Sequence, residues 1–168
     1  GLDVRLDAAA LGIDRPPRQP AVAILDRQLR TPASAKLFDR HGRVTVFAER
    51  DDGEAASALR RAGADIVALA ADEHGLELGA VFRSLAARSV NEVHVEAGPT
   101  LCGRLMATGH VDEVVLYMAP QLLGDTARGQ FSFGPLASME ERVGLHIREI
   151  RRVGADIRID ALPIIDRE

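Results

Sequence analysis

The stretch Val95-Glu96-Ala97-Gly98-Pro99-Thr100-Leu101-Cys102-Gly103-Arg104-Leu105 (VEAGPTLCGRL) decides how the chain is read. A short apolar run, Val93-His94-Val95, ends in a carboxylate; a Gly-Pro turn and a helical pattern follow. A strand turning tightly into a helix is the repeating step of α/β proteins. In their open sheets ligands sit at the carboxyl ends of strands, where helix N-termini offer free N–H groups and a positive dipole end. Gly98 permits positive φ or a close backbone approach. Pro99 suits the first helical position, where its missing N–H costs nothing, and Thr100 brings a hydroxyl as well as an N–H. Glu96 can accept hydrogen bonds from the N–H or amino groups of a polar ring. The same residues also describe a plain tight turn beside a solvated carboxylate, and spacing alone leaves both readings open.

On either side of this stretch, strand and helix patterns alternate. Residues 21–25, 44–48 and 65–69 are short apolar runs that predict buried strands. Residues 54–62 place alanines and Leu59 on one side and stop at Gly63, which predicts a helix. Leu78, Val81, Phe82 and Leu85 follow i, i+3, i+4, i+7 spacing, a helix with one buried face. Residues 91–95 predict a fourth strand, and 100–107 a helix that buries Leu101, Leu105 and Met106 and ends near Gly109. Residues 114–119 are apolar throughout, which predicts a mid-sheet strand covered on both faces. Residues 145–153 and 157–161 flank Gly154-Ala155-Asp156, and Ile157-Arg158-Ile159-Asp160-Ala161 alternates strictly, the pattern of an antiparallel hairpin. The first 20 residues are polar and end in DRPPRQP, a surface loop. The fold class expected is α/β, a mostly parallel central sheet flanked by helices with an antiparallel C-terminal hairpin.

Composition narrows the function. At 168 residues and 46% hydrophobic, the chain is expected to form one domain that buries roughly 70% of its unfolded surface. A net charge of −4 gives no reason to expect a nucleic-acid or membrane partner. With 4% aromatic residues and no tryptophan, stacking platforms for single strands are not expected. One cysteine excludes an internal disulfide framework and a Cys-rich zinc site, and the five histidines show no i, i+4 pairing, so no metal is expected. No apolar run approaches the ~20 residues of a membrane span and no signal-peptide pattern opens the chain, so a soluble cytoplasmic protein is expected.

Other candidates are weaker. Cys102 reads as a small core-facing side chain inside the helix rather than a nucleophile. Arg148, Arg151 and Arg152 read as a solvated edge-strand face. The long connection over residues 120–135 carries three glycines, Asp125 and Arg128; loops of that length are often functional, and a packed structural loop fits equally.

VEAGPTLCGRLMATGHVDEVVLYMAPQLLGDTARG, with AILDRQLRTP upstream and RRVGADIRI downstream, resembles the reductase domain of the bifunctional riboflavin-biosynthesis deaminase/reductase over about residues 2–159. The resemblance implies a dihydrofolate-reductase-like α/β fold. It further implies NADPH-dependent reduction of 5-amino-6-(5-phosphoribosylamino)uracil, a small phosphoribosylamino-pyrimidine, to its ribitylamino product. Hydride would pass directly to the ring-opened C1 of the ribose, the protein's task being orientation; no general acid is implied by any visible residue.

Carried onto this sequence, the resemblance places Glu96 at the substrate's pyrimidine end. Gly98, Pro99, Thr100, Leu101, Cys102, Gly103 and Arg104 then run along the NADPH pyrophosphate. The family's LTVR segment reads Leu2-Asp3-Val4-Arg5, which puts Leu2 at the substrate and Arg5 on the ribose phosphate through charge-assisted hydrogen bonds. Arg27, after the first strand, falls near the adenosine end, where it would pair the extra phosphate of NADPH. Without the resemblance, Arg5 and Arg27 are ordinary surface arginines. A homo-oligomer, a dimer first, is also implied.

The family pattern also holds an N-terminal strand and helix and a Gly-x-Gly-Thr loop that this sequence lacks, and the zinc-deaminase motifs H-x-E and P-C-x-x-C are absent. The expectation is one reductase domain over residues 1–168, N-terminally incomplete, with no deaminase domain. Gln121 stands where the family usually carries lysine. The alternative reading is a non-catalytic nucleotide-binding or dimerisation fragment of that enzyme.

Overall fold

The computed structural model describes Val4, residues 6–39 and residues 43–164. The described residues fall into two compact units, residues 1–90 and 91–168.

The first unit is built on a three-stranded parallel sheet in the order β1 (Val22–Leu25), β2 (Val44–Ala48), β3 (Ala64–Ala68). β2, α1 (Gly53–Arg61) and β3 form a strand-helix-strand unit, the connection that parallel pairing demands. α1 starts where Asp52 takes an extended conformation and stops at Gly63, whose φ of 97° only glycine adopts without strain. A two-residue ribbon, β4 (Ala71–Asp72) with β5 (Gly75–Leu76), leads into α2 (Leu78–Ala87).

Strand periodicity then sorts the core. Val44, Val46 and Ala48 lie on one face of β2 and pack with Ala56 and Leu59 of α1. Phe47, pointing the other way, packs with Leu76, Val81 and Leu85 of the α2 side. Phe47, Val46 and Leu59 are fully buried, each contributing roughly 1.5–3 kcal/mol. The apolar run 44–48 reads as it does because both faces of β2 are covered. The strands expected at 21–25, 44–48 and 65–69 and the helices at 54–62 and 78–85 are all present to within a residue or two, with Phe82 half-buried rather than fully covered.

The second unit holds α3 (Pro99–Ala107) and an antiparallel sheet in the order β6 (Val114–Met118), β8 (Asp156–Ile164), β7 (Gly144–Val153). The β7–β8 hairpin turns at Gly154, φ 63°, as expected from Gly154-Ala155-Asp156. β7 poses a phase problem, because Ile147 and Ile150 are three apart and would face opposite ways in a regular strand. A bulge at Arg148 corrects it: Ile147 pairs with Ala161 and Ile150 with Ile159, on one face. The other face carries Glu149 opposite Asp160 and Arg151 opposite Arg158. Asp160 is buried, and Arg158 donates to its Oδ1 from Nε at 2.9 Å and Nη2 at 2.8 Å. The guanidinium also lies 5.9 Å from the Tyr117 ring. Pro163 is tolerated in the central strand because β6 has ended by then, its last pair being Val114 with Ala161.

Two expectations are corrected here. Residues 91–95 form no strand: no ladder pairs with them among the described residues, and Val93 and Val95 stay 39% and 41% exposed. A strand exists only through its partner, and the apolar pattern cannot supply one. β6 is an edge strand rather than a mid-sheet strand; it pairs with β8 on one side, and Tyr117 and Met118 are exposed. In α3, Leu105 and Met106 are buried as expected but Leu101 is only half-buried.

Candidate functional site

The first candidate is the start of α3. Gly98 is its N-cap, with extended backbone (φ −76°, ψ 171°), and Pro99 occupies the first turn. The expected positive φ at Gly98 is therefore not used. What glycine provides is room, since a Cβ added there would meet nothing within 4 Å. The first intrahelical bond runs from the Cys102 N–H to the Gly98 carbonyl at 3.1 Å, so the N–H groups of Thr100 and Leu101 precede it. An exposed helix start with N–H groups ahead of its ladder suits an anion. Glu96, two residues before the cap, is exposed, and its Oε1 lies 3.5 Å from His94 Nε2. Thr100 is exposed as well.

Gly103 has a different job. It is buried, and a Cβ built on it would lie 2.1 Å from the Ser132 carbonyl oxygen and 2.7 Å from its carbon. The Ser132 N–H donates to the Pro99 carbonyl at 2.9 Å. The 129–134 part of the long loop is thus seated on α3, with Phe131 and Phe133 stacked at 6.0 Å, and Gly103 is what lets it approach. Leu122 and Leu123, in the other half of that loop, are among the most exposed apolar side chains. Cys102 is half-buried, its Sγ 3.5 Å from the Ala97 carbonyl, and so is not the core residue expected. Arg104 closes the helix near Thr108, whose hydroxyl donates to its carbonyl at 2.7 Å.

The second candidate is the carboxyl edge of the parallel sheet. After β1 the chain turns at Asp26, buried, whose Oδ2 accepts from the Thr31 N–H at 2.6 Å and hydroxyl at 2.7 Å. Burial works against that carboxylate, but the hydrogen bonds from Arg30 and Thr31 outweigh it and hold its pKa below the usual range. The turn places Leu29, buried, at φ 55°. Arg27 then reaches two other segments. Its Nε and Nη2 donate to Glu49 at 2.9 and 3.3 Å, and its Nη1 donates to the Asp72 carbonyl at 2.7 Å. The hydrogen bond that Arg27 donates to Glu49 raises the Arg27 pKa, and that same bond lowers Glu49. Arg27, Gln28, Glu49 and Arg50 line one surface cleft. Arg50 was not among the sequence candidates. The rule that flagged Glu96, a polar residue just past a strand's carboxyl end, would have found it.

Leu2 and Arg5, expected at the substrate, lie outside the described residues. Their neighbour Val4 is held by Gln19: the Val4 N–H donates to Oε1 at 3.1 Å and Nε2 donates to the Val4 carbonyl at 3.2 Å. Among the described residues no group of His, Cys, Asp or Glu could hold a metal ion, and no helix is long and apolar enough to cross a membrane.

A parallel sheet with helices on both faces in one unit, and in the other an antiparallel three-stranded sheet and an open turn into a helix after a carboxylate, define an α/β protein. Residues 3–159 match the RibD C-terminal domain, and the chain belongs to that family. Riboflavin biosynthesis protein RibD of Escherichia coli (strain K12) is 32% identical over 142 residues, covering 83% of this chain and 37% of its own length. A protein of Buchnera aphidicola subsp. Acyrthosiphon pisum named 5-amino-6-(5-phosphoribosylamino)uracil reductase is 28% identical over 88 residues, 52% of this chain and 42% of its own. The solved structure of Acinetobacter baumannii RibD superposes with a TM-score of 0.76 at 25% identity, over 95% of this chain and 40% of that one. The fold is thus the dihydrofolate-reductase-like fold of these reductases, and the chain spans about two-fifths of the length of the RibD proteins it matches.

Proposed function

We propose that the chain is the reductase part of a riboflavin-biosynthesis protein, reducing 5-amino-6-(5-phosphoribosylamino)uracil with NADPH. The observation that carries this reading is the family match over residues 3–159, on a chain whose α3 begins openly three residues after Glu96. Residues 1–168 are read as one reductase domain.

The residues at α3 fit a dinucleotide. Gly98 leaves space where a side chain would stand, and the N–H groups of Thr100 and Leu101 with the helix dipole suit the pyrophosphate. Pro99 fixes the entry of the helix, and Leu101, Cys102 and Arg104 continue its first turns. Gly103 supports the site from behind by seating Ser132, so its contribution is to shape rather than to contact. When bound, NADPH supplies the hydride. Glu96 would accept hydrogen bonds from the pyrimidine ring and so fix the substrate's rotation. Leu2 would flank the substrate and Arg5 would hold its ribose phosphate.

Calorimetric titration of NADPH into the 168-residue protein tests the reading, with Gly98→Trp beside it. Micromolar binding that Gly98→Trp abolishes, with the circular-dichroism spectrum unchanged, is the expected result. A folded wild-type protein that binds no NADPH would contradict it. Binding without turnover of the substrate would favour the alternative, a nucleotide-binding fragment.

A further inference from the structure

We propose that Arg50, rather than Arg27, is the cation with which this chain recognises a ribose 2′-phosphate, the group that separates NADPH from NADH; the inference rests on the cofactor reading given under the proposed function.

The two arginines share one cleft but differ in what they have left to give. β1 and β2 are parallel neighbours in register, Leu25 beside Phe47, so the residues that follow them emerge together at the carboxyl edge. That edge is where open α/β sheets take ligands. All three nitrogens of the Arg27 guanidinium are already engaged, two on the Glu49 carboxylate and one on the Asp72 carbonyl. The Glu49 N–H also donates to the Arg27 carbonyl at 3.1 Å. Arg27 is therefore a staple joining the segments after β1 and β2 to the β4–β5 ribbon. A phosphate approaching it would have to displace a carboxylate and would meet that carboxylate's charge.

Arg50 is the next residue along and is exposed. It makes no hydrogen bond or ion pair among the described residues. Its positive charge does lower the pKa of Glu49, so the two lie close enough to interact. With Arg27 and Glu49 cancelling each other, Arg50 is the uncompensated charge of the cleft, and Gln28 adds amide donors beside it. Asp51, the acid that follows it in sequence, is turned to Arg60 at 3.1 Å. One free guanidinium with adjacent amide donors suits a phosphate monoester, which carries about −1.5 to −2 at neutral pH. It gives no such advantage to an unphosphorylated ribose.

Dissociation constants for NADPH, NADH and adenosine 2′-monophosphate, measured by calorimetry on wild type, Arg50→Ala and Arg27→Ala, test the assignment. Arg50→Ala should weaken NADPH and adenosine 2′-monophosphate by roughly 10- to 100-fold, the worth of one hydrogen-bonded charge. NADH should stay within about twofold of its wild-type value, since it lacks the group recognised. Arg27→Ala should weaken NADPH and NADH by a common factor, because it loosens the cleft without removing the phosphate contact. If Arg50→Ala leaves the NADPH-to-NADH ratio unchanged, or if Arg27→Ala alone collapses it, the assignment falls while the cofactor reading stands. If the wild type binds adenosine 2′-monophosphate through Arg50 but no NADPH, the Arg50 site stands and the cofactor reading falls. A folded wild type that binds none of the three overturns both.

Discussion

Among the described residues, thirteen of the seventeen buried apolar ones belong to the first unit, whereas fifteen of the eighteen large exposed ones, Val93 through Ile164, belong to the second. The contrast does not come from composition. VTVFA at β2 has four apolar residues of five and VVLYM at β6 has five, yet β2 is the buried one. β2 pairs on both sides and has α1 packed on one face and the α2 side on the other. Among the described residues β6 pairs on one side only, and Tyr117 and Met118 remain about half exposed. What differs is the number of neighbours each strand finds. The first unit is a closed piece of α/β architecture, while the second carries the candidate turn at Glu96–Thr100 and a sheet whose apolar face is open.

The contrast makes its strongest demand at Phe47. This ring is fully buried between β2 and the α2 side. Phe47→Ala should cost about 3–5 kcal/mol through lost transfer energy and the cavity left behind. Urea unfolding followed by circular dichroism measures it. A loss below about 1.5 kcal/mol would mean that the first unit is no better packed than the second, and the comparison would fail at its firmer end.

The same difference governs how much the sequence revealed. In the first unit β1, β2, β3, α1 and α2 are legible because local pattern and tertiary burial agree, whereas the short β4–β5 ribbon is not: Val44, Val46 and Phe47 alternate between two covered faces, and Gly63 marks the stop of α1 with a φ of 97°. In the second unit the hairpin was legible from Gly154 and the alternation at 157–161, since both are local. The state of residues 91–95 and of β6 was not, because pairing on a second side is a property of partners rather than of pattern. The bulge at Arg148 was hidden for the same reason: only the register against β8 shows that Ile147 and Ile150 need the same face. At the candidate site, the turn at Glu96–Pro99 was legible from residue chemistry. The occupation of Arg27 by Glu49 and Asp72, 22 and 45 residues away, and the seating of Ser132 against Gly103 could not be read from neighbours in sequence.

Gly98 and Gly103 sharpen the comparison within the second unit, five residues apart on one helix. Gly103→Ala drives a methyl into the Ser132 backbone and should cost about 1–3 kcal/mol, with the 129–134 loop displaced. Gly98→Ala enters open space at an ordinary φ and should stay within about 0.5 kcal/mol. Thermal unfolding of the two variants side by side decides it. Equal costs at both positions would show that the loop is not seated on α3 as described.

The smallest expected effect tests the open face itself. Ile150 is 60% exposed on the apolar side of the β6–β8–β7 sheet, level with Ile159. If that face meets water, Ile150→Ser removes little buried area and should change stability by no more than about 0.5 kcal/mol. Urea unfolding gives the number, and light scattering on the same samples gives the mass. The homo-oligomer proposed from the family resemblance makes the opposite demand if its subunits meet there. Ile150→Ser would then cost more than about 1 kcal/mol at high protein concentration and less on dilution, because a subunit interface stabilises by mass action. Both signatures separate from a simple packing loss, which carries no concentration dependence. A cost that is small and independent of concentration keeps the face open and moves any subunit contact elsewhere. A cost that grows with concentration closes the face and removes the contrast between the two units.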